Sequence, residues 1–139
     1  MMSKNLIFTE NVDSVTIPDA TFIRMDGSVR NSQELFNDYS AKLHFPDYFG
    51  ENWEAFNDCL CSLDDWLDES NLILVYEQMP NLERADMAIL LEILYSYIIR
   101  GDVDLPYQIW CVFPESSRDF CSKIIQEYEK RIQMHENSK

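Results

Sequence analysis

His44-Phe45-Pro46-Asp47-Tyr48-Phe49-Gly50-Glu51-Asn52-Trp53-Glu54-Ala55-Phe56-Asn57-Asp58-Cys59-Leu60 is the stretch from which the rest of the chain is read. Its first half is an aromatic loop and its second half has helical spacing. With Asn52 as N-cap, Trp53, Phe56 and Leu60 recur at i, i+3 and i+7 and form a core-facing stripe. Glu51, Glu54, Asp58 and Cys61 then share the opposite side. A short helix with one apolar face needs a layer to pack against, so its neighbours decide the fold.

Upstream, Thr21-Phe22-Ile23-Arg24-Met25 reads as a strand stopped by the turn pair Asp26-Gly27, with the glycine expected at positive φ. Asn31 or Ser32 caps a helix with Glu34 in its first turn and Leu35, Phe36, Tyr39 and Leu43 at helical spacing. Pro46 is expected to end it, because proline disfavours an α conformation in the residue before it. Nearer the N-terminus, Leu6-Ile7-Phe8 and Val15-Thr16-Ile17 are β-prone runs about the turn-like Asn11-Val12-Asp13, and predict a hairpin ending at Pro18.

Downstream, Asp64, Asp65, Asp68 and Glu69 surround Trp66 and Leu67 in a polar connection. Leu72-Ile73-Leu74-Val75-Tyr76 is a continuous apolar run, the pattern of a strand buried on both faces of a parallel sheet. Asn81 to Arg100 reads as a long helix, capped by Asn81 and stopped by Gly101, with Ile89, Leu90, Leu91, Ile93, Leu94, Ile98 and Ile99 making it apolar nearly all round. Gln108 to Phe113 is a third buried strand, ended by Pro114. Ser116 or Ser117 opens a last helix through about Met134 with Phe120, Ile124, Ile125 and Tyr128 on one stripe, and fraying is expected from His135 to Lys139. The order strand, helix, helix, strand, helix, strand, helix predicts an α/β fold with a three-stranded parallel sheet packed by helices. Residues 1–19 are an expected N-terminal extension, 20–113 the central domain, and 114–139 a C-terminal helix packed on it.

Charge bounds the function. The chain has 139 residues, 46% of them hydrophobic, which suits one domain. Its 25 Asp and Glu against 11 Lys and Arg give a net charge of -14, which argues against nucleic-acid phosphates and anionic membranes and favours a basic protein partner. Between Leu43 and Glu83 stand ten carboxylates and no Lys or Arg. Glu54 has a structural reason to be there, since a first-turn carboxylate complements the helix dipole. Asp58 has none: it lies beyond that turn, is a poor helix former, and forms an i,i+4 like-charge pair with Glu54 that costs a helix about 0.2–0.5 kcal/mol. A residue that costs the fold points to a partner. Of the aromatics, Phe45, Phe49 and Phe56 read as core, whereas Tyr48 can point outward with its polar tip. Gly50 is expected to supply the backbone freedom that turns the loop into the helix.

Other chemistries are disfavoured. Cys59, Cys61, Cys111 and Cys121 include no C-x-x-C pair and no run with His, so they read as reduced, buried thiols rather than a zinc site. No apolar leader follows Met1-Met2-Ser3-Lys4-Asn5. The greasiest segment, Met87 to Ile99, is broken by Glu92 and shorter than the roughly 18 residues of a membrane span, so a soluble cytoplasmic chain is expected. An enzyme using Glu51, Glu54 and Asp58 as acid, base or metal ligands would need a convergent His, Cys or Lys, and His44 is the nearest histidine. No catalytic residue, metal or cofactor is expected.

Pro46-Asp47-Tyr48-Phe49-Gly50-Glu51-Asn52-Trp53-Glu54-Ala55-Phe56-Asn57-Asp58-Cys59-Leu60 resembles the signature of the barstar family, intracellular inhibitors of barnase-type ribonucleases. The likeness to that small α/β fold runs from about Thr21 to Phe113. It implies that Asp58 is the principal anchor in the nuclease active site, where substrate phosphate would sit, and that Glu54, one methylene longer than the usual aspartate, is a second acidic contact. It also implies that Tyr48 packs against the nuclease's catalytic histidine, and that Gly50, Glu51 and Asn52 form the loop and helix start. The implied function is that of an immunity protein or antitoxin, monomeric when free and binding its nuclease one to one. Two departures, Asn57 where the best-known member has a large aromatic and Ser96 about where that member has a further contacting glutamate, leave open an acidic interaction module for another basic protein in a regulatory role.

Overall fold

The computed structural model describes residues 5–67, 71–99 and 105–137. Its strands are β1 Leu6–Thr9, β2 Thr21–Arg24, β3 Asn71–Val75 and β4 Gln108–Pro114, all parallel and ordered β1-β4-β3-β2. Its helices are α1 Ser32–Leu43, α2 Trp53–Leu60, α3 Arg84–Ile93 and α4 Arg118–Asn137. Residues 1–4, Asp68, Glu69, Arg100, Gly101 and residues 138–139 lie outside the described residues, as do the side chains of residues 97–99, so the expected helix stop at Gly101 falls outside them too.

The α/β class and the parallel sheet match the expectation, but among the described residues there are four strands and no hairpin. Leu6–Thr9 does not fold back on Val15-Thr16-Ile17. It joins β4 in parallel, with Leu6 opposite Cys111 and Phe8 opposite Phe113. An isolated two-stranded hairpin is marginal, whereas adding a strand beside β4 covers an edge that would otherwise be open. Because β1 and β2 are opposite edges of the sheet, residues 10–20 must cross its whole width.

That crossing explains the second face. Strand residues alternate, so Ile23, Leu74, Cys111 and Leu6 share one side while Ile73, Val75, Val112 and Ile7 share the other. The first side is packed by the helices: Leu35, Phe36, Tyr39, Phe56, Leu60, Leu90, Leu91, Ile124 and Ile125 are buried in one cluster with it. The second is covered by the crossing segment, whose Val12 is buried with Ile73, Val75 and Val112 and whose Val15, Ile17 and Ala20 pack around them. Residues 10–20 act as a strap, with a 3-10 turn at Val12–Ser14 capped by the Asn11 side chain.

Local differences have local reasons. Asn31 caps α1 by accepting from the Glu34 N–H at 2.9 Å. The helix closes at His44, whose φ of 55° is left-handed and whose N–H donates to the Ser40 carbonyl, so Pro46 lies two residues past the stop rather than causing it. Gly27 has no positive φ; a Cβ there would lie 2.1 Å from the Gln78 carbonyl oxygen, so it is needed for close approach of two loops. Asn81 caps no helix: α3 starts only after Glu83, and the Asn81 N–H instead donates to the Val29 carbonyl at 3.0 Å. After Ile93 the helix continues as a π-helical segment, Leu94–Ile99. A 3-10 turn at Glu115–Ser117 precedes α4, which runs on through Asn137 instead of fraying from His135. On α4, Cys121 is buried and Phe120 is 41% exposed, so the packed stripe is Cys121, Ile124 and Ile125, with Tyr128 half-buried against the same cluster.

Candidate protein-binding surface

The surface is built from the loop after α1 and from α2. Phe45 is buried and anchors the loop, its ring edge-on to Phe49 at 5.0 Å and to Phe56 at 6.1 Å. The Phe49 N–H donates to the Pro46 carbonyl at 2.9 Å, closing a turn whose tip carries Tyr48. Tyr48 is 79% exposed, while Phe49 is held against Phe36 and Phe45. The sequence expectation for these aromatics therefore holds in placement: one ring outward, the others inward.

The entry to α2 uses a different residue from the one expected. Gly50 has no positive φ, and it is Glu51, at φ 53°, that turns the chain. A left-handed residue with a side chain costs about 1–2 kcal/mol. A Cβ on Gly50 would lie 3.3 Å from Asn52 Nδ2, so the glycine leaves room for the capping side chain. Asn52 is the cap: its Oδ1 accepts from the Ala55 N–H at 2.8 Å and its Nδ2 donates to the Gly50 carbonyl at 3.3 Å.

Phe56 and Leu60 are fully buried and Trp53 half-buried, which makes the core face of α2 the expected one. Phe56 stacks edge-on with Tyr39 at 4.8 Å and with Trp53 at 5.5 Å. The opposite face carries Glu51, Glu54 and Asp58, all exposed, with Cys61 partly covered. Asp47 before the helix and Asp64 and Asp65 after it are also exposed. None of these carboxylates takes part in the ion pairs between described residues, which join Arg24 to Asp13 and Glu77, Arg30 to Glu34, Lys42 to Asp38, Arg84 to Glu127, Arg118 to Glu115 and Arg131 to Glu92. The surface is thus negative, and no Lys or Arg of the described chain is ion-paired to it. Burial, and then the Asp58 charge, push the Cys59 and Cys61 thiols up from their ordinary value.

Sequence reasoning missed three features. The Trp53 indole N–H donates to Asp86 Oδ1 on α3 at 3.1 Å. The Tyr107 hydroxyl, just before β4, accepts from the Leu63 N–H at 3.2 Å and donates to the Leu60 carbonyl. The Asn57 side-chain oxygen is buried with no hydrogen-bond partner among the described residues. A half-buried Trp and a buried Tyr each need a polar partner, which was the available signal, but the partner's identity depends on the folded chain. Ser96 is buried in the π-helical segment and presents no surface to a partner.

Among the described residues no group of three His, Cys, Asp or Glu is placed to hold a metal ion, and no helix is long and apolar enough to cross a membrane. The family model described as Barstar (barnase inhibitor) matches residues 20–105, whereas no curated protein and no solved structure matches the chain. The matched span runs from just before β2 to beyond α3 and contains the loop, α2 and every carboxylate of the surface.

Proposed function

The chain belongs to the barstar family of barnase inhibitors, and from that premise we propose that it inhibits a barnase-type ribonuclease by closing the enzyme's basic active site with α2 and the loop before it. The observation that carries this reading is the row of exposed carboxylates from Asp47 to Asp58, unpaired within the described chain and flanked by the outward Tyr48. A ribonuclease gathers Arg, Lys and His where RNA phosphates bind. Carboxylates held on a rigid helix occupy those places with charge-assisted hydrogen bonds, so nothing has to react. Asp58 is the central anchor, Glu54 a second contact, and Tyr48 covers the catalytic histidine. Gly50, Glu51 and Asn52 set the approach of the loop.

The complex is one to one, the free protein is a monomer, and the site of action is the cytoplasm, where a nuclease would otherwise destroy RNA. No cofactor or metal takes part and RNA itself is not bound. Attraction between the acidic surface and a basic cleft speeds encounter and is weakened by salt.

Asn57 favours a second reading. It stands where the best-known member of the family has a large aromatic, so the contact that such a ring would make is replaced here by a half-buried amide. The same surface would then serve a different basic protein in a regulatory role. An inhibition titration with a barnase-type ribonuclease, using wild type and Asp58→Ala in parallel, decides. One-to-one inhibition lost in the variant supports the nuclease reading; no inhibition by wild type overturns it in favour of another basic partner.

A further inference from the structure

The C-terminal end of α2 is held in an unusual way. The helix has eight residues, and isolated helices below about 12–15 residues are marginal in water. Its last turn holds Asp58 and no basic residue, so a carboxylate sits at the negative end of the helix dipole. Helices commonly close with Lys or Arg reaching the last carbonyls. Here such a cation would lie beside Asp58 and neutralise the charge that the surface offers to its partner.

A neutral group does the work instead. Tyr107 is buried, and its hydroxyl donates to the Leu60 carbonyl at the end of α2 while accepting from the Leu63 N–H at the start of the 3-10 turn Leu63–Asp65. It reaches these groups from 47 and 44 residues away in sequence, so it ties the helix end to the start of β4. Burial pushes the phenol up to about 12, with the Asp64 and Asp65 carboxylates acting in the same direction, so it stays a protonated donor at neutral pH. It also lies beyond residues 20–105, the span matched by the family model.

We propose that Tyr107 is a positioning residue that fixes the end of the acidic helix in its binding geometry without lending it a positive charge. This rests on the reading of α2 as the helix that enters the partner. Preorganisation of this kind acts mainly on the lifetime of a complex, because it changes neither the charge nor the encounter.

Tyr107→Phe keeps the ring and removes only the hydroxyl. With a barnase-type ribonuclease, its complex is expected to dissociate about tenfold faster, while the association rate and its salt dependence stay those of wild type. Amide hydrogen exchange at residues 61–65 is expected to rise locally, with β3 and β4 unchanged. An unaltered dissociation rate alongside tight wild-type binding overturns the proposal, as does unaltered exchange at residues 61–65. Should wild type not bind the nuclease at all, the functional reading fails first, and the exchange comparison still decides whether Tyr107 holds the helix end. For the unmodified chain, the Leu63 amide is expected among the slowly exchanging ones; fast exchange there overturns the proposal without any variant.

Discussion

The Trp53 indole N–H donates to Asp86 Oδ1 at 3.1 Å, joining the first turn of α2 to the first turn of α3. Asp86→Ala leaves a half-buried donor without its acceptor and is expected to cost about 1–2 kcal/mol in urea unfolding. Adding Trp53→Phe removes that orphan donor, so the double-mutant cycle should show a coupling of about 1 kcal/mol. Additive losses would mean that the two residues act independently.

Asp58→Ala is expected to leave thermal stability equal to wild type or slightly higher. The substitution removes a carboxylate from the last turn of a helix, ends its like-charge pairing with Glu54, and replaces a poor helix former with the best one. A melting temperature several degrees below that of wild type would assign Asp58 to the fold rather than to recognition.

Deleting residues 1–19 should be damaging, although those residues precede the matched family span. The deletion uncovers Ile73, Val75 and Val112, now buried beneath Val12, and opens the edge of β4. Both are invitations to self-association. Light scattering is expected to show oligomers, and the urea midpoint should fall; a monomer of unchanged midpoint would show the strap to be dispensable.

Stability should decline at alkaline pH. Burial pushes Cys111 from its ordinary value of 9.0 up to about 12 and Cys121 up to about 11. Tyr39 and Tyr76, whose hydroxyls are bonded at 2.9 Å, are raised by burial as well. Above about pH 9 the unfolded chain releases protons that the folded chain retains, so unfolding is favoured progressively as pH rises toward 12; below that window these groups contribute no pH dependence. Urea midpoints measured from pH 7 to 11 should be flat at first and then fall.

The parts of the molecule that were legible in sequence are those whose signals are local. Asn31 and Asn52 announce α1 and α2 because a cap bonds three residues ahead, and Phe56 and Leu60 betray the buried face because the helical period is short. β1 was misread because nothing in Leu6-Ile7-Phe8 distinguishes a hairpin strand from an edge strand, and its true neighbour is more than a hundred residues away. Gly27 and Gly50 were assigned torsional freedom where the folded chain needs space, against Gln78 and Asn52. The acidic surface was legible as a charge imbalance. Its supports, Asp86 and Tyr107, were not, since each bonds to a residue distant in sequence.

The pairing of β1 with β4 also sets an order of events. Leu6–Thr9 leaves the ribosome about a hundred residues ahead of its partner strand, Gln108–Pro114. The segment must therefore wait until that strand emerges, and in refolding it contributes contacts of very high sequence separation, which slow the search for the native topology. α1, the aromatic loop and α2 are consecutive, and their mutual packing requires no such delay. The acidic surface would thus be assembled while the strap is still loose, and a nascent chain could present α2 before its own sheet is closed.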